Sequence, residues 1–475
     1  MNKLSYRSIW QLAGPNIASN ILMVSISFAH LWIVAPFGPE ASAAVVTGGR
    51  IHFLLMSASM ALSVATTAVV ARAWGGENVQ EASEATTSSL TLAVLISLGL
   101  GAVTFIFANQ IVGLFGLDPI SSQLAIDYVR PAALLNIFFA LALTVFTAFR
   151  AIGDVVRPLR FSAIATIFGT LGSYTLVHGS FGLPEMGMSG IPWGTALGQL
   201  IVVLWFGFCW LTRKYPLLPT THAIFDMVRL KQLAKIGMPA AMEQVVLQTS
   251  LVLFMILVAE YGTAAFAAYG IGITILSICI VIGMGFGAAA ATLSGQNLGA
   301  RDPETARANG WMAMKMAIVC MTGVALVTFA FKAQLAAMLS VDPDIRRYTE
   351  FFIIVLAIVQ PLMAIEFAIG SALRGGGETR YPLFVTFIGV VLVRFGVGFI
   401  VIMLDGSVEA IYSVIVVDYL VKAVLLVLRF RSDGWIKDED DHAPLSIQSL
   451  AGIVRAPVRS YFSRKTTTKK TNRRR

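Results

Sequence analysis

Charge is what this sequence has least of. Only 13% of its 475 residues are Asp, Glu, Lys or Arg, against roughly 25% in an ordinary soluble domain. With 57% hydrophobic residues and a mean hydropathy of +0.77, a soluble reading would need an apolar core larger than one domain encloses. A bilayer accepts the same composition as repeated apolar runs of about 20 residues. Cysteine is scarce as well: Cys209, Cys279 and Cys320 are odd in number and lie inside apolar runs, which points away from a disulfide framework and from a metal site. HExxH, CxxC, Walker A and DDxxD patterns are absent, which disfavours ATP-driven pumping and membrane-embedded catalysis. The chain is therefore expected not to be an enzyme and to need no cofactor. Its start, MNKLSYRSIWQLAGP, is basic but runs into an apolar segment too long for a cleaved signal, so the first segment is expected to stay.

The apolar runs between polar punctuation predict twelve helices, near 10–34, 42–70, 86–108, 126–149, 159–178, 190–212, 237–259, 264–292, 311–331, 347–372, 382–404 and 408–430. Backbone groups in lipid must be satisfied within each segment, so runs of this length mean helices and not β-barrel strands. Basic residues choose the sides. With the N-terminus in the cytoplasm, the inside connections collect Lys3, Arg7, Arg72, Arg150, Arg157, Arg213, Lys214, Arg301, Arg374 and Arg380 among others, and the outside ones keep only Arg130, Lys332, Arg346 and Arg347. The positive-inside rule then puts both termini in the cytoplasm, as a multi-pass protein of the plasma or inner membrane. It also explains the net charge of +9 without nucleic acid. The tail from 432, ending TTTKKTNRRR, reads as a disordered basic segment at the lipid surface.

FRAIGDVVRPL at 149–159 has a double, LRGGGETRYPL, at 373–383. The offset of 224 also carries Pro15 onto Pro239, Gly38 onto Gly262, Gly75 onto Gly299, Asp118-Pro119 onto Asp342-Pro343, and Pro158 onto Pro382. The chain thus reads as two six-helix halves related by an axis along the membrane normal: an N-lobe at 1–220, a C-lobe at 221–431 and the tail at 432–475. Two such lobes enclose an interface that opens to either side by rocking, and transport is its natural use. The repeated turn is expected to be structural, with glycines for the turn, proline starting the next helix, and arginine and acid at the cytoplasmic surface.

The turn Leu373-Arg374-Gly375-Gly376-Gly377-Glu378-Thr379, the run Gly295-Gln296-Asn297-Leu298-Gly299-Ala300 with Asp302, and Arg429-Phe430 with Gly434-Trp435 resemble the multidrug and toxic compound extrusion (MATE) transporters over residues 8 to 436. The resemblance implies a V-shaped pair of lobes that exports organic, often cationic, compounds against inward protons or sodium. It also marks a departure: the acids that bind the ion in that family are missing, and His30, Leu247 and Met363 stand in their places. A flippase for lipid-linked saccharides is the alternative, which predicts a strongly cationic cleft.

Ionisable groups inside a membrane span cost about 2.5–3.5 kcal/mol each at mid-bilayer on insertion scales, so the few present are candidates for function. Glu366 is a carboxylate able to exchange a proton for substrate, or else a partner for Arg394. His30, with an ordinary pKa of about 6.5, is a proton carrier or a hydrogen-bonded packing residue. Glu243 completes the ion-coupling candidates. Asn20, Gln244 and Gln248 are expected to face the cleft or to clamp helices together. Arg50 and Arg394 are expected to attract an anionic group on a substrate, or to snorkel. Asp418 and Lys422, four apart, read as a self-neutralising pair. Pro15, Pro239 and Pro361 are kink or hinge candidates. The expected partners are small-molecule substrates and membrane lipids, with a monomer as the transporting unit.

Overall fold

A computed structural model describes residues 5–218 and 220–436. The part of the predicted tail from 437 onward lies outside the described residues. Among the described residues, twelve long helices carry the fold: α1 Tyr6–Val34, α2 Pro39–Gly75, α3 Val79–Ile106, α4 Pro119–Ala151, α5 Val156–His178, α6 Gly190–Leu211, α7 Met227–Ala259, α8 Thr263–Gly299, α9 Pro303–Ala330, α10 Pro343–Gly375, α11 Arg380–Met403 and α12 Val408–Arg431. Among the described residues there is no strand. Eleven of the twelve are long and apolar enough to cross a membrane. The other, α5, carries Arg157, Arg160, Ser162, Thr166, Thr170 and Ser173, and these dilute its hydropathy.

The helices overrun the predicted apolar runs because their caps lie in the polar loops. Asn78, Asp118, Asp226, Asp302, Asp342 and Ser407 each accept a backbone N–H of the following turn, satisfying donors that a helix start leaves open. Proline opens α2, α4, α9 and α10, where its missing N–H is not needed. At 37 residues each, α2 and α8 run to about 55 Å and overhang a hydrocarbon core of about 30 Å.

The two halves are copies in backbone as well as in spelling. Gly38 and Gly262 have φ of +94° and +93°, Gly153 and Gly377 both +89°, Glu77 and Arg301 +60° and +56°, Phe181 and Asp405 +61° and +50°. Each pair is separated by the same offset. Packing repeats too: a Cβ on Gly48 would meet the Tyr128 ring at 2.4 Å, and one on Gly272 the Phe352 ring at 1.9 Å. Helices in lipid associate through close packing and not through water exclusion, so such small-against-aromatic seats are what locks each bundle. In the second bundle Phe352 stands edge-on to Tyr269 and Tyr412 at 5.6 and 4.8 Å, and Tyr412 Oη donates to the Ala265 carbonyl at 2.6 Å.

The segment joining the bundles is docked, not slung. Ser83 Oγ accepts from Leu218 N at 3.0 Å, Ser88 Oγ donates to the Ala223 carbonyl at 2.8 Å, and Arg229 pairs with Glu84. The linker therefore rides on the start of α3.

Candidate functional site

Between the bundles, α1 and α2 pack against α7 and α8, and the close approaches lie toward the end that carries the basic loops. There α2 and α8 cross glycine against backbone. A Cβ on Gly75 would fall 1.9 Å from the Gln296 carbonyl oxygen, and one on Gly299 would fall 1.9 Å from that of Arg72. These two contacts exchange under the 224-residue offset, so they are one contact astride the pseudo-twofold axis. Above it, a Cβ on Gly285 would meet Ile17 at 2.3 Å, and Asn20 Nδ2 reaches the Val281 carbonyl at 3.5 Å. Gln296 Nε2 donates to the Ala151 carbonyl at 2.7 Å and Thr292 Oγ1 to that of Arg150 at 3.1 Å. The second bundle thus holds the turn that follows α4 in the first. Beneath the crossing lies a cavity of 1150 Å³ bordered by Arg72, Glu81, Lys235, Arg301 and Glu378.

Toward the other end the same helix faces part. Leu54 on α2 is 53% exposed and its repeat mate Ile278 on α8 is 61% exposed. Both continue the stripes that touch lower down. Arg50 precedes Ala68, on the contact stripe of α2, by about five full turns at 3.6 residues per turn, so it lies on the continuation of that stripe. It is exposed. Gln244 and Gln248 follow Gly237, which sits over the Ala61 carbonyl and the Ala65 methyl, by about two and three turns. That places them further along the same stripe of α7, in the lobe that also carries Thr274, the mate of Arg50. The pair of lobes is a V, closed at the basic end.

Inside the second bundle runs a row of charges. Arg394 on α11 pairs with Asp418 on α12. Lys422 Nζ lies 3.3 Å from Asp418 Oδ1 and 3.7 Å from Glu366 Oε1 on α10. Asp418 and Lys422 have 0% and 1% side-chain exposure, while Glu366 keeps 15%. Glu366 therefore pairs with Lys422, not with the expected Arg394, and the Asp418–Lys422 pair is shared outward at both ends instead of closing on itself. Arg394, expected on the cleft wall, is drawn into the bundle by Asp418. Two π-helical stretches, Glu366–Gly370 and Ile388–Val397, carry Glu366 and Arg394; such widened turns recur at functional sites.

The repeated turn is not a surface feature in the second half. Arg374 Nη2 and Nε donate to Glu243 Oε1 and Oε2 at 2.8 and 3.2 Å, and Thr386 Oγ1 donates to Oε1 at 3.1 Å. Glu378 accepts from Arg429 Nη2 at 2.7 Å, which also bonds the Gly434 carbonyl at 2.8 Å. The acid partners pull both groups under cover. In the first half Asp154 bonds Arg157 at 2.7 Å, and Arg150 has no such acid because Ser19 stands where Glu243 does. These pairings were missed by reading each span alone. A signal was present: Glu366, Arg394, Asp418 and Lys422 map onto Ala142, Thr170, Gly194 and Gly198, so the charges were added to one half only.

His30 is buried in the first bundle, its Nε2 3.2 Å from Thr195 Oγ1, facing α6 and away from the cleft. Pro15, Pro239 and Pro361 all lie within helices. Among the described residues no His, Cys, Asp or Glu group is arranged to hold a metal.

A family model described as MatE matches residues 15–175 and 239–400, two matches that begin one repeat offset apart. Among curated proteins, the chain is similar to the probable multidrug resistance protein NorM of Thermotoga maritima, 22% identical over 91% of this chain and 93% of that protein. It is also similar to the FAD transporter of Shewanella oneidensis, 23% identical over 84% and 89%. A solved structure, the outward-facing conformation of a multidrug resistance MATE family transporter of the MOP superfamily, superposes with a TM-score of 0.83 at 18% identity, covering 90% of this chain and 95% of that one.

Proposed function

Because the chain belongs to the MatE family of multidrug and toxic compound extrusion transporters, we propose that it exports small amphipathic organic compounds in exchange for inward protons. The basic end faces the cytoplasm, and the V opens to either side in turn.

The observation that carries the choice of ion is the pairing of the interior carboxylates. Glu243 is held by Arg374, Asp418 by Arg394 and Lys422, and Glu366 by Lys422. A sodium ion at any of these oxygens meets a fixed cation already in place, whereas a proton needs one oxygen and no coordination shell. Glu366 is the natural acceptor: its partner is the most distant of the four contacts and its side chain is the most accessible of the three acids. A proton on Glu366 removes its attraction to Lys422, which Asp418 retains. The tie between α10 and α12 is then lost at the π-helical turn of α10, close to the lobe interface, so proton loading and substrate loading favour different lobe positions. His30, with its ring nitrogen on Thr195, serves α1–α6 packing in this reading.

The test is proton-driven flux of a fluorescent substrate in proteoliposomes across a pH series. Glu366→Gln is expected to flatten the pH dependence and His30→Ala to keep it. A Glu366→Gln variant with the parental pH profile refutes the assignment.

A further inference from the structure

We propose that the group recognised in the open cleft is an anion, held by Arg50, so that the exported compounds are amphipathic acids and not cations. This rests on the export reading above and names the substrate class at the same cleft. Arg50 lies on the gap-facing stripe of α2, is exposed, and makes no ion pair with a described residue. On the facing lobe, neutral polar groups are available at about its level: Gln244 and Gln248 on α7 and Thr274 on α8. The interior acids Glu243, Glu366 and Asp418 all belong to the second bundle and are each neutralised by Arg374, Lys422 or Arg394. The acids of the far loops, Glu40, Glu260, Asp405 and Glu409, sit at helix ends on the rim.

Among the described residues, a cation entering this gap meets the uncompensated guanidinium of Arg50, and the interior carboxylates are already paired. An anion meets a planar donor suited to carboxylate, sulfonate or phosphate, with amide and hydroxyl donors across the cleft and apolar walls at Leu54 and Ile278 for its body. The charge balance of the cycle follows. A proton moving in while an anion moves out carries two positive charges inward, whereas exchange of a proton for a monovalent cation moves none.

The test uses the purified full chain and two ligands with the same aromatic body, 2-naphthalenesulfonate and (2-naphthyl)trimethylammonium. The sulfonate is expected to bind more tightly, to lose at least about tenfold in affinity in Arg50→Gln, and to recover most of that in Arg50→Lys. In proteoliposomes a valinomycin-set potential, negative inside the cell-equivalent face, is expected to speed sulfonate export. Tighter binding of the ammonium, sulfonate binding unchanged by Arg50→Gln, or flux indifferent to potential would each overturn the assignment. Failure of proton exchange is read separately: Arg50-dependent, potential-driven sulfonate flux that ignores an imposed proton gradient keeps the anion site and removes the proton.

Discussion

Replacing Gly75 or Gly299 by alanine should hold the basic end open. An added Cβ would lie 1.9 Å from a carbonyl oxygen of the opposite lobe at either position. Ordinary contact begins near 3.4 Å, so the helices must separate by about 1.5 Å there. The obstructing atoms are backbone on a packed helix and have no rotamer to escape into. Overpacking of this kind costs about 1–3 kcal/mol, which tilts a two-state equilibrium about 5- to 150-fold. Alanine otherwise favours a helix over glycine, so weakened secondary structure does not explain a loss. Ala68, 4% exposed on the contact stripe of α2, reports the state of the crossing. With Ala68→Cys in everted vesicles, an impermeant maleimide should react slowly in the parent and several-fold faster in Gly75→Ala or Gly299→Ala, with transport reduced. Gly49→Ala, where a Cβ meets nothing within 4 Å, should match the parent. The double variant should add little to either single one, because one separation relieves both clashes. Equal labelling of Gly75→Ala and Gly49→Ala would refute the crossing as a closed gate.

Other outcomes follow from the same contacts. Removing one member of the buried Arg374–Glu243 pair leaves a charge uncompensated and should lower stability by about 3–5 kcal/mol; the double Arg374→Met, Glu243→Met variant should melt closer to the parent in detergent than Arg374→Met does. Asp302 caps α9, and the hydrogen bonds it accepts from the side chain and backbone of Thr305 hold its carboxyl below the usual range. A depressed folded pKa contributes stability above the unfolded value of about 3.9 and loses it as pH falls through the folded one. The stability gap of about 1 kcal/mol between parent and Asp302→Ala at pH 7 should therefore narrow progressively as pH is lowered below about 3.9 in thermal melts. Asn20→Ala, which removes the bond to the Val281 carbonyl, should weaken lobe contact by only about 0.6 kcal/mol and leave flux within a few-fold of the parent.

The membrane class, the helices and the duplication were legible because each is a property of the chain taken in order. Apolar runs mark spans whatever they pack against, and an offset shared by Gly38, Gly75, Asp118, Gly153 and Pro158 needs no coordinates to be seen. The polar residues were legible only as candidates. Arg50 lies by helix periodicity on the stripe of α2 that carries Ala68, while Arg394, equally a lone arginine in an apolar run, turns into the bundle to pair with Asp418. Arg374 was read as a surface residue because its own segment ends in a loop, yet its partner stands 131 positions earlier in the chain.

By itself, then, the sequence determined that the chain enters a bilayer as helices in two like halves, since hydropathy and repetition act along the chain and are indifferent to helix rotation. Only the tertiary structure decided which charges meet, which glycines touch the opposite lobe and which side chains look into the gap. Each residue turns a helix by about 100°, so one step of register or a small rotation of a neighbouring helix exchanges a cleft residue for a buried one, and that angle is set by packing between helices far apart in sequence.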